Sequence, residues 1–169
     1  DLKIYRYASR RGGYEPRLAV TAAGAEEAVD LAEAWMSSHG AVPPFGGSTL
    51  ALIEAGPEVW DEVAVLARTS AAVVDLAEAE LLCPLDRLAS LRDFLAFESH
   101  VKLGATRRNT TVPPYWYEAP VYYTGNHRQL LGPGDPCPWP AYTEWLDLEL
   151  ELAMIVGRVG TDVSVGDAS

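Results

Sequence analysis

The chain has 169 residues, enough for one domain or for one small domain with the start of another. Its 24 acidic and 13 basic residues give a formal net charge of −11, which argues against a nucleic-acid-binding surface and against binding to an anionic membrane. No apolar run approaches the ~18–20 residues of a membrane span, and no charged-then-apolar leader opens the sequence.

Residues 1–85 predict a small α/β domain without a cluster of histidines, cysteines and acids at ligand spacing. Apolar side chains recur at helical spacing from Ala28 to Trp35, and Gly40 favours the end of that helix. The predicted elements are a strand pair in residues 1–20 with a turn at 10–13, helices at 24–39, at 48–56 and from Pro57 onward, and an extended segment at 72–82.

The next stretch, residues 90–100, holds an aspartate and a histidine seven residues apart, Asp93 and His100. On a helix, seven residues advance roughly 700°, so both side chains would share one face about 10 Å apart along the axis. Asp93 and His100 could instead have structural roles. Asp93, three residues after Ser90, could complete a capping box, and His100 could bond the last carbonyls of a helix.

Residues 101–112 predict a polar loop in which Arg107 and Arg108 either bind an anionic group or are solvated. An aromatic cluster follows, and its tyrosines, Tyr122 and Tyr123 among them, could line a core or orient an oxygen-rich ligand. The two cysteines, Cys83 and Cys137, are far apart and lack metal-binding spacing. We therefore expect reduced thiols in a cytoplasmic protein.

Leucine occupies every second position from 146 to 152, and acids fill the positions between. This period predicts a strand whose leucines face a core, while Asp147, Glu149 and Glu151 share the opposite face. Same-face neighbours are separated by roughly 6.5–7 Å along a strand, so these carboxylates repel one another unless a cation lies before them. The acidic face is either a solvated surface or a divalent-cation site.

Together these stretches resemble the fumarylacetoacetate hydrolase family, from about residue 81 to the end. The resemblance depends on the order and spacing of three motifs rather than on any one of them. Residues 52–56 also look like the small N-terminal domain of that family. The three motifs are Asp93-Phe94 with His100, the segment Pro-Val-Tyr-Tyr-Thr-Gly at 120–125, and the segment Asp-Leu-Glu-Leu-Glu-Leu-Ala at 147–153.

The resemblance implies an α+β fold. A small N-terminal α/β domain over residues 1–85 would precede the start of a mixed β-roll/β-sandwich catalytic domain over residues 86–169. In the family, a further metal-binding aspartate and the acidic partner of the catalytic histidine lie farther downstream than this sequence reaches. We therefore expect these residues to be the N-terminal part of a longer chain, or one subunit of a split enzyme.

For the chemistry, the resemblance implies a hard divalent cation bound by Asp93, Glu149 and Glu151, with Asp147 as a bystander. Mg²⁺ or Ca²⁺ is expected, and Mn²⁺ is a further candidate. His100 is implied as the general base in the hydrolysis of a C–C bond of a β-dicarbonyl or acylpyruvate substrate.

The family also implies that Tyr122 or Tyr123 and one of Arg107 or Arg108 orient the substrate, a small 2-oxo acid or β-diketone, in a homodimer. Relatives on the same scaffold hydrate, isomerise, decarboxylate or cyclise 2-oxo acids, and the residues present fit all of these reactions. The alternative of another class is a non-catalytic, metal-stabilised scaffold subunit. The presence of His100 argues against it, because a degenerate site could lose that residue without losing the fold.

Overall fold

The computed structural model describes residues 1–9 and 13–168. The chain divides into two compact units, one formed by Asp1–Asp86 with Leu131–Ser169 and the other by Arg87–Leu130. Helices and antiparallel strands are both present, so the predicted mixed α/β character is confirmed. The assignment of parts of the chain to the two domains of a hydrolase stays a prediction.

The first unit contains a five-stranded sheet in which all neighbouring strands are antiparallel. The first two strands pair along their length, which confirms the strand pair predicted for residues 1–20. Of the turn predicted at 10–13, only Gly13 lies within the described residues. In the order β4-β3-β2-β1-β5, the strands are β1 (Leu2–Ser9), β2 (Pro16–Ala22), β3 (Ala28–Asp30), β4 (Val73–Val74) and β5 (Ala79–Leu81).

Two of the three helices in this unit start where the sequence predicts, and the first starts later than predicted. The helix predicted from residue 24 begins at Leu31, because Ala28 and Val29 pair in the sheet and the Asp30 side chain caps the first turn. Gly40 ends this helix in the left-handed conformation, with a φ of 66°, as expected. The starts at Ser48 and Pro57 are confirmed. The helices are α1 (Leu31–His39), α2 (Thr49–Glu54) and α3 (Pro57–Thr69).

The core of this unit lies on the sheet face that α1 and α3 cover. Alternate residues of β2 point to opposite faces. Leu18 and Val20 therefore join the large cluster beneath the helices, whereas Ala19 joins a smaller cluster on the other face with Tyr7. The large cluster is completed by apolar side chains from the helices and their loops, including Leu31, Trp35, Phe45, Leu52, Val63 and Leu66.

The segment Leu131–Ser169 corrects the predicted acidic strand. Among the described residues, residues 146–158 form neither a strand nor a helix, and the prediction of a strand there is wrong. Leu148, Leu150 and Leu152 are 90%, 99% and 91% exposed rather than facing a core. A strand requires a neighbouring backbone to pair its amide and carbonyl groups, and alternation of side chains does not supply one.

The second unit consists of a strand pair, a helix and a 3₁₀ turn, and it also corrects the sequence reading. Asp93 lies in a strand rather than a helix, and the helix that contains His100 extends through most of the loop predicted at 101–112. In chain order the elements are β6 (Arg92–Phe94), α4 (Glu98–Arg107), the 3₁₀ turn Pro114–Tyr117 and β7 (Tyr122–Thr124), with β6 and β7 antiparallel. No helix in the described ranges is long and apolar enough to cross a membrane.

A buried ionic network lies on the face of the first sheet that carries the smaller apolar cluster. Asp30 is only 2% exposed, and both of its carboxylate oxygens are bonded. Arg17 donates from Nε to Oδ2 at 2.6 Å and from Nη2 to Oδ1 at 2.7 Å, and the hydroxyl of Tyr7 donates to Oδ2. The backbone amide of Glu33 donates to Oδ1 at 2.8 Å. The network therefore joins β1, β2, β3 and the start of α1.

Three groups of this network have shifted pKa values. Burial alone would raise the pKa of Asp30, but the hydrogen bonds from Arg17 and Tyr7 outweigh it and the net shift is downward. Burial, followed by the hydrogen bond to Asp30, raises the pKa of Tyr7. The hydrogen bond to Asp30 raises the pKa of Arg17. The folded unit therefore favours an ionised Asp30 beside a neutral tyrosine.

Replacing Asp30 with Asn should destabilise the first unit. Asn can still cap α1, but it leaves the guanidinium of Arg17 without its carboxylate. Because Arg17 is one-third exposed, we expect a loss of about 2–3 kcal/mol in the free energy of unfolding, measured by urea denaturation at neutral pH. Glu33→Gln is the control, since Glu33 is 66% exposed and should contribute less than about 1 kcal/mol.

The stability of the Asp30→Asn variant and that of its parent should also depend differently on pH in the acid range. The pKa of Asp30 is lowered by folding, so its contribution is present above the unfolded-state value of about 3.9 and is lost as the pH falls toward the folded-state value. The Asp30→Asn variant should therefore lose less stability than the parent as the pH falls below about 4. If the free energy of unfolding fell equally in parent and variant as the pH is lowered, this would contradict the role given to the Asp30 carboxylate.

Candidate functional site

The strand pair β6–β7 brings two predicted site residues together. Asp93 lies directly opposite Tyr123 in the antiparallel register. Directly opposed residues point to the same face of a strand pair, with Cβ atoms about 4.5–5.5 Å apart. Asp93 is half-buried and Tyr123 is 60% exposed, so both polar groups lie beside solvent. A ligand bound at this face could contact a carboxylate and a phenol at once.

Tyr122 packs against other side chains on the opposite face of the same strand pair. Its ring lies 5.2 Å from that of Phe94 between centroids, and the guanidinium carbon of Arg92 lies 5.4 Å above it. These are an aromatic contact and a cation–π contact, both of which stabilise the pairing of the two strands. The structure therefore gives Tyr122 a packing role and places only Tyr123 on the face of Asp93.

His100 lies in the first turn of α4 and is exposed to solvent. Its backbone amide donates to the carbonyl of Phe97 at 3.0 Å, as expected at a helix start. The predicted shared helical face with Asp93 is wrong, because α4 begins at Glu98 and Asp93 precedes it in a strand. The structure also excludes the two structural alternatives, a capping box formed by Ser90 with Asp93 and a helix-end role for His100, because Asp93 lies in a strand and His100 lies at the start of α4.

Arg107 and Arg108 end the same helix rather than belonging to a loop. Arg107 is the last helical residue and Arg108 is the C-cap, whose amide donates to the carbonyls of Gly104 and Ala105. Both side chains are exposed. Cations near a helix C-terminus interact favourably with the helix dipole, which accounts for their local placement. Because they are exposed, the guanidinium groups of Arg107 and Arg108 are also accessible to an anionic ligand.

A polar contact at the start of α4 was not predicted. The hydroxyl of Tyr117 donates to Oε1 of Glu98 at 2.8 Å, and Nζ of Lys102 lies 2.9 Å from the same oxygen. The hydrogen bond from Lys102 is the largest cause that lowers the pKa of Glu98, and the hydrogen bond from Tyr117 is the next. Glu98 in turn raises the pKa values of both partners. The i, i+4 spacing of Glu98 and Lys102 was the only sequence signal for it.

Glu149 and Glu151, the acids predicted from the alternating segment, are both exposed. Carboxylate oxygens are hard donors of the kind that Mg²⁺ and Ca²⁺ prefer, so the donor chemistry fits a hard divalent cation. The backbone amide of Leu148 donates to Oδ1 of Asp147, in the same segment, at 2.9 Å.

Comparison with protein families places these residues in one known context. Residues 90–169 match the family model described as fumarylacetoacetate (FAA) hydrolase C-terminal. The segment, just under half of the chain, is similar to the C-terminal domain of the fumarylacetoacetate hydrolase family. The resemblance inferred from the three motifs is therefore confirmed. Comparisons with curated proteins and with solved structures find no match to the chain.

The match begins three residues before Asp93 and contains every predicted site residue. A segment similar to this family's C-terminal domain indicates a metal-dependent enzyme of the hydrolase, lyase or isomerase kind. The family model does not extend to the first 89 residues, so their assignment as the family's small N-terminal domain stays a prediction.

Proposed function

We propose that this protein hydrolyses a C–C bond in a β-dicarbonyl substrate of the acylpyruvate class. The observation that carries the proposal is the family match over residues 90–169, because that segment holds, in the expected order, three carboxylates, one histidine and one tyrosine suited to the reaction. Hydration, isomerisation, decarboxylation or cyclisation of a 2-oxo acid would use the same residues, and these reactions are the alternatives to be tested beside it.

In this proposal, Asp93, Glu149 and Glu151 hold a divalent cation, with Mg²⁺ or Ca²⁺ expected and Mn²⁺ as a further candidate. When bound, such a cation polarises a carbonyl oxygen and stabilises the negative charge that develops as the C–C bond breaks. The exposure of both glutamates supports a role in binding, because carboxylates accessible to solvent can exchange water for a metal and a substrate.

His100 is proposed as the general base. Its exposed imidazole can take a proton from a water molecule while the water oxygen attacks the substrate carbonyl. The C–C bond beside that carbonyl then breaks, and its electron pair passes to the departing fragment as an enolate. Return of the proton to the enolate carbon completes the reaction and yields a carboxylic acid and a 2-oxo acid.

Tyr123 and the two arginines are proposed to orient the substrate. Tyr123 shares the face of Asp93, so its hydroxyl can donate to an oxygen of a ligand held there. Arg107 or Arg108 would pair with the substrate carboxylate, for which a guanidinium is well suited. Tyr122 would contribute through its packing against Phe94. We further propose a cytoplasmic homodimer acting on a small molecule, with residues 1–85 as the domain that precedes the catalytic part.

Replacing His100 with Ala should abolish turnover while leaving the fold and cation binding intact. Loss of a general base lowers kcat by about 10²–10⁴-fold, which can be followed by the absorbance of an acylpyruvate in the presence of Mg²⁺. The melting temperature should change little because the side chain is exposed. His127→Ala removes another imidazole from the same unit and should retain activity. Full turnover by His100→Ala would remove this histidine from the mechanism.

Replacing Glu149 and Glu151 together with Gln should weaken Mg²⁺ binding by roughly 10-fold or more, as measured by calorimetry, because two anionic ligands are lost. The matched control is Asp147→Asn, which removes an acid from the same segment outside the proposed ligand set. Equal affinity for Mg²⁺ in the double variant and in the parent would show that these glutamates form only a solvated acidic surface.

A further inference from the structure

We propose that Trp116 and Tyr117 are positioning residues that fix the connection between Asp93 and His100. This inference rests on the proposed function, in which Asp93 binds the metal and His100 is the base. It concerns residues that the sequence reading did not assign to the site. All of them lie in the unit Arg87–Leu130, so the distances between them are distances within one compact unit.

The connection from β6 to α4 consists of three residues, Leu95 to Phe97. The amide of Leu95 donates to the carbonyl of Val121 at 3.0 Å, and the amide of Ala96 donates to that of Phe94 at 2.8 Å. These bonds hold the strand side. On the helix side, α4 begins at Glu98, and its N-cap residue Phe97 makes no side-chain hydrogen bond to the first turn. The start of this helix therefore depends on contacts from elsewhere in the unit.

The 3₁₀ turn Pro114–Tyr117 supplies those contacts at both ends of the connection. Nε1 of Trp116 donates to the carbonyl of Leu95 at 3.0 Å, two residues after Asp93. The hydroxyl of Tyr117 donates to Oε1 of Glu98 at 2.8 Å, two residues before His100. Two adjacent residues thus bond to the two ends of the segment that separates the proposed metal ligand from the proposed base.

The two donors also support each other. The rings of Trp116 and Tyr117 are T-shaped, with centroids 4.9 Å apart, which limits the rotamers that either can adopt. The turn that carries them begins with Pro113 and Pro114, whose fixed φ angles reduce its freedom. A rigid turn is suited to positioning, because small misplacement of a catalytic group costs rate: a displacement of 1 Å can lower it by about 10²-fold.

The ion pair of Glu98 with Lys102 does not account for this arrangement. Both side chains are exposed, and an exposed i, i+4 pair contributes little to the stability of a helix. The pair does orient the carboxylate of Glu98, which then accepts the tyrosine hydroxyl. The inferred role therefore belongs to the Tyr117–Glu98 hydrogen bond and not to the charge of Glu98.

Tyr117→Phe tests the inference, because it removes the hydroxyl alone. The matched control is Tyr115→Phe, in the same turn: both tyrosines are 59% exposed, but only the hydroxyl of Tyr117 has a hydrogen bond in the described part of the chain. We expect kcat for an acylpyruvate with Mg²⁺ to fall by about 10-fold in Tyr117→Phe with KM nearly unchanged, because positioning of the base acts on the chemical step. Tyr115→Phe should match the parent.

A second pair of variants acts on the acceptor. Glu98→Ala removes the oxygen that accepts the hydroxyl and should reproduce the loss in kcat. Glu98→Gln keeps an acceptor oxygen and should restore most of the activity. Amide hydrogen exchange of the metal-free protein gives a readout independent of turnover. The amide of His100 should exchange about three- to five-fold faster in Tyr117→Phe and Glu98→Ala, and at the parent rate in the other two variants.

The outcomes separate this inference from the proposed reaction. If Tyr117→Phe matches Tyr115→Phe in kcat and exchange, the positioning role is overturned. Faster exchange with an unchanged kcat also overturns it, because the hydrogen bond would then be structural only. If the parent does not turn over the acylpyruvate, the proposed reaction fails, and exchange of the His100 amide alone then tests the positioning role. Faster exchange confined to Tyr117→Phe and Glu98→Ala supports that role. Equal exchange in all variants overturns it.

Discussion

The antiparallel pairing of β6 with β7 is the constraint on which the candidate site depends. Because opposed residues share a face, this register places Tyr123 with Asp93 and turns Tyr122 toward Phe94 on the other side. A shift of one residue would exchange the faces of the two tyrosines. The contact of Tyr122 with Phe94 and Arg92 opposes such a shift, so side chains that take no part in chemistry determine which phenol is available to a ligand.

The acids of this chain are used in two different ways. Asp30 is buried, and a guanidinium, a phenol and a backbone amide all donate to it, so its charge stabilises the first sheet. Glu149 and Glu151 are exposed. A carboxylate that already has three donors has little capacity left for a metal, whereas exposed carboxylates can bind one at a small cost in desolvation. This difference in environment, rather than residue type, separates structural acids from candidate ligands.

Helix ends were predictable because their causes are local. Gly40 adopts a left-handed conformation that favours glycine, Ser48 caps the next helix with its own hydroxyl, and Pro57 occupies a first-turn position where its missing amide proton costs nothing. The order of Asp93, His100 and the Glu-x-Glu segment likewise predicted the family match of residues 90–169, because it needs only the residue types and their spacing along the chain.

The sequence alone determined the end of α1, the starts of α2 and α3, the first strand pair and the similarity of residues 90–169 to the family. Tertiary structure decided that Asp93 lies in a strand, that His100 begins a helix and that residues 146–152 form no strand within the described part of the chain. The hydrogen bonds of Trp116 and Tyr117 to the segment before His100 were also beyond local reading. The physical reason is that helix caps are satisfied within a few residues, whereas strand pairing and cross-turn bonds need partners distant in sequence.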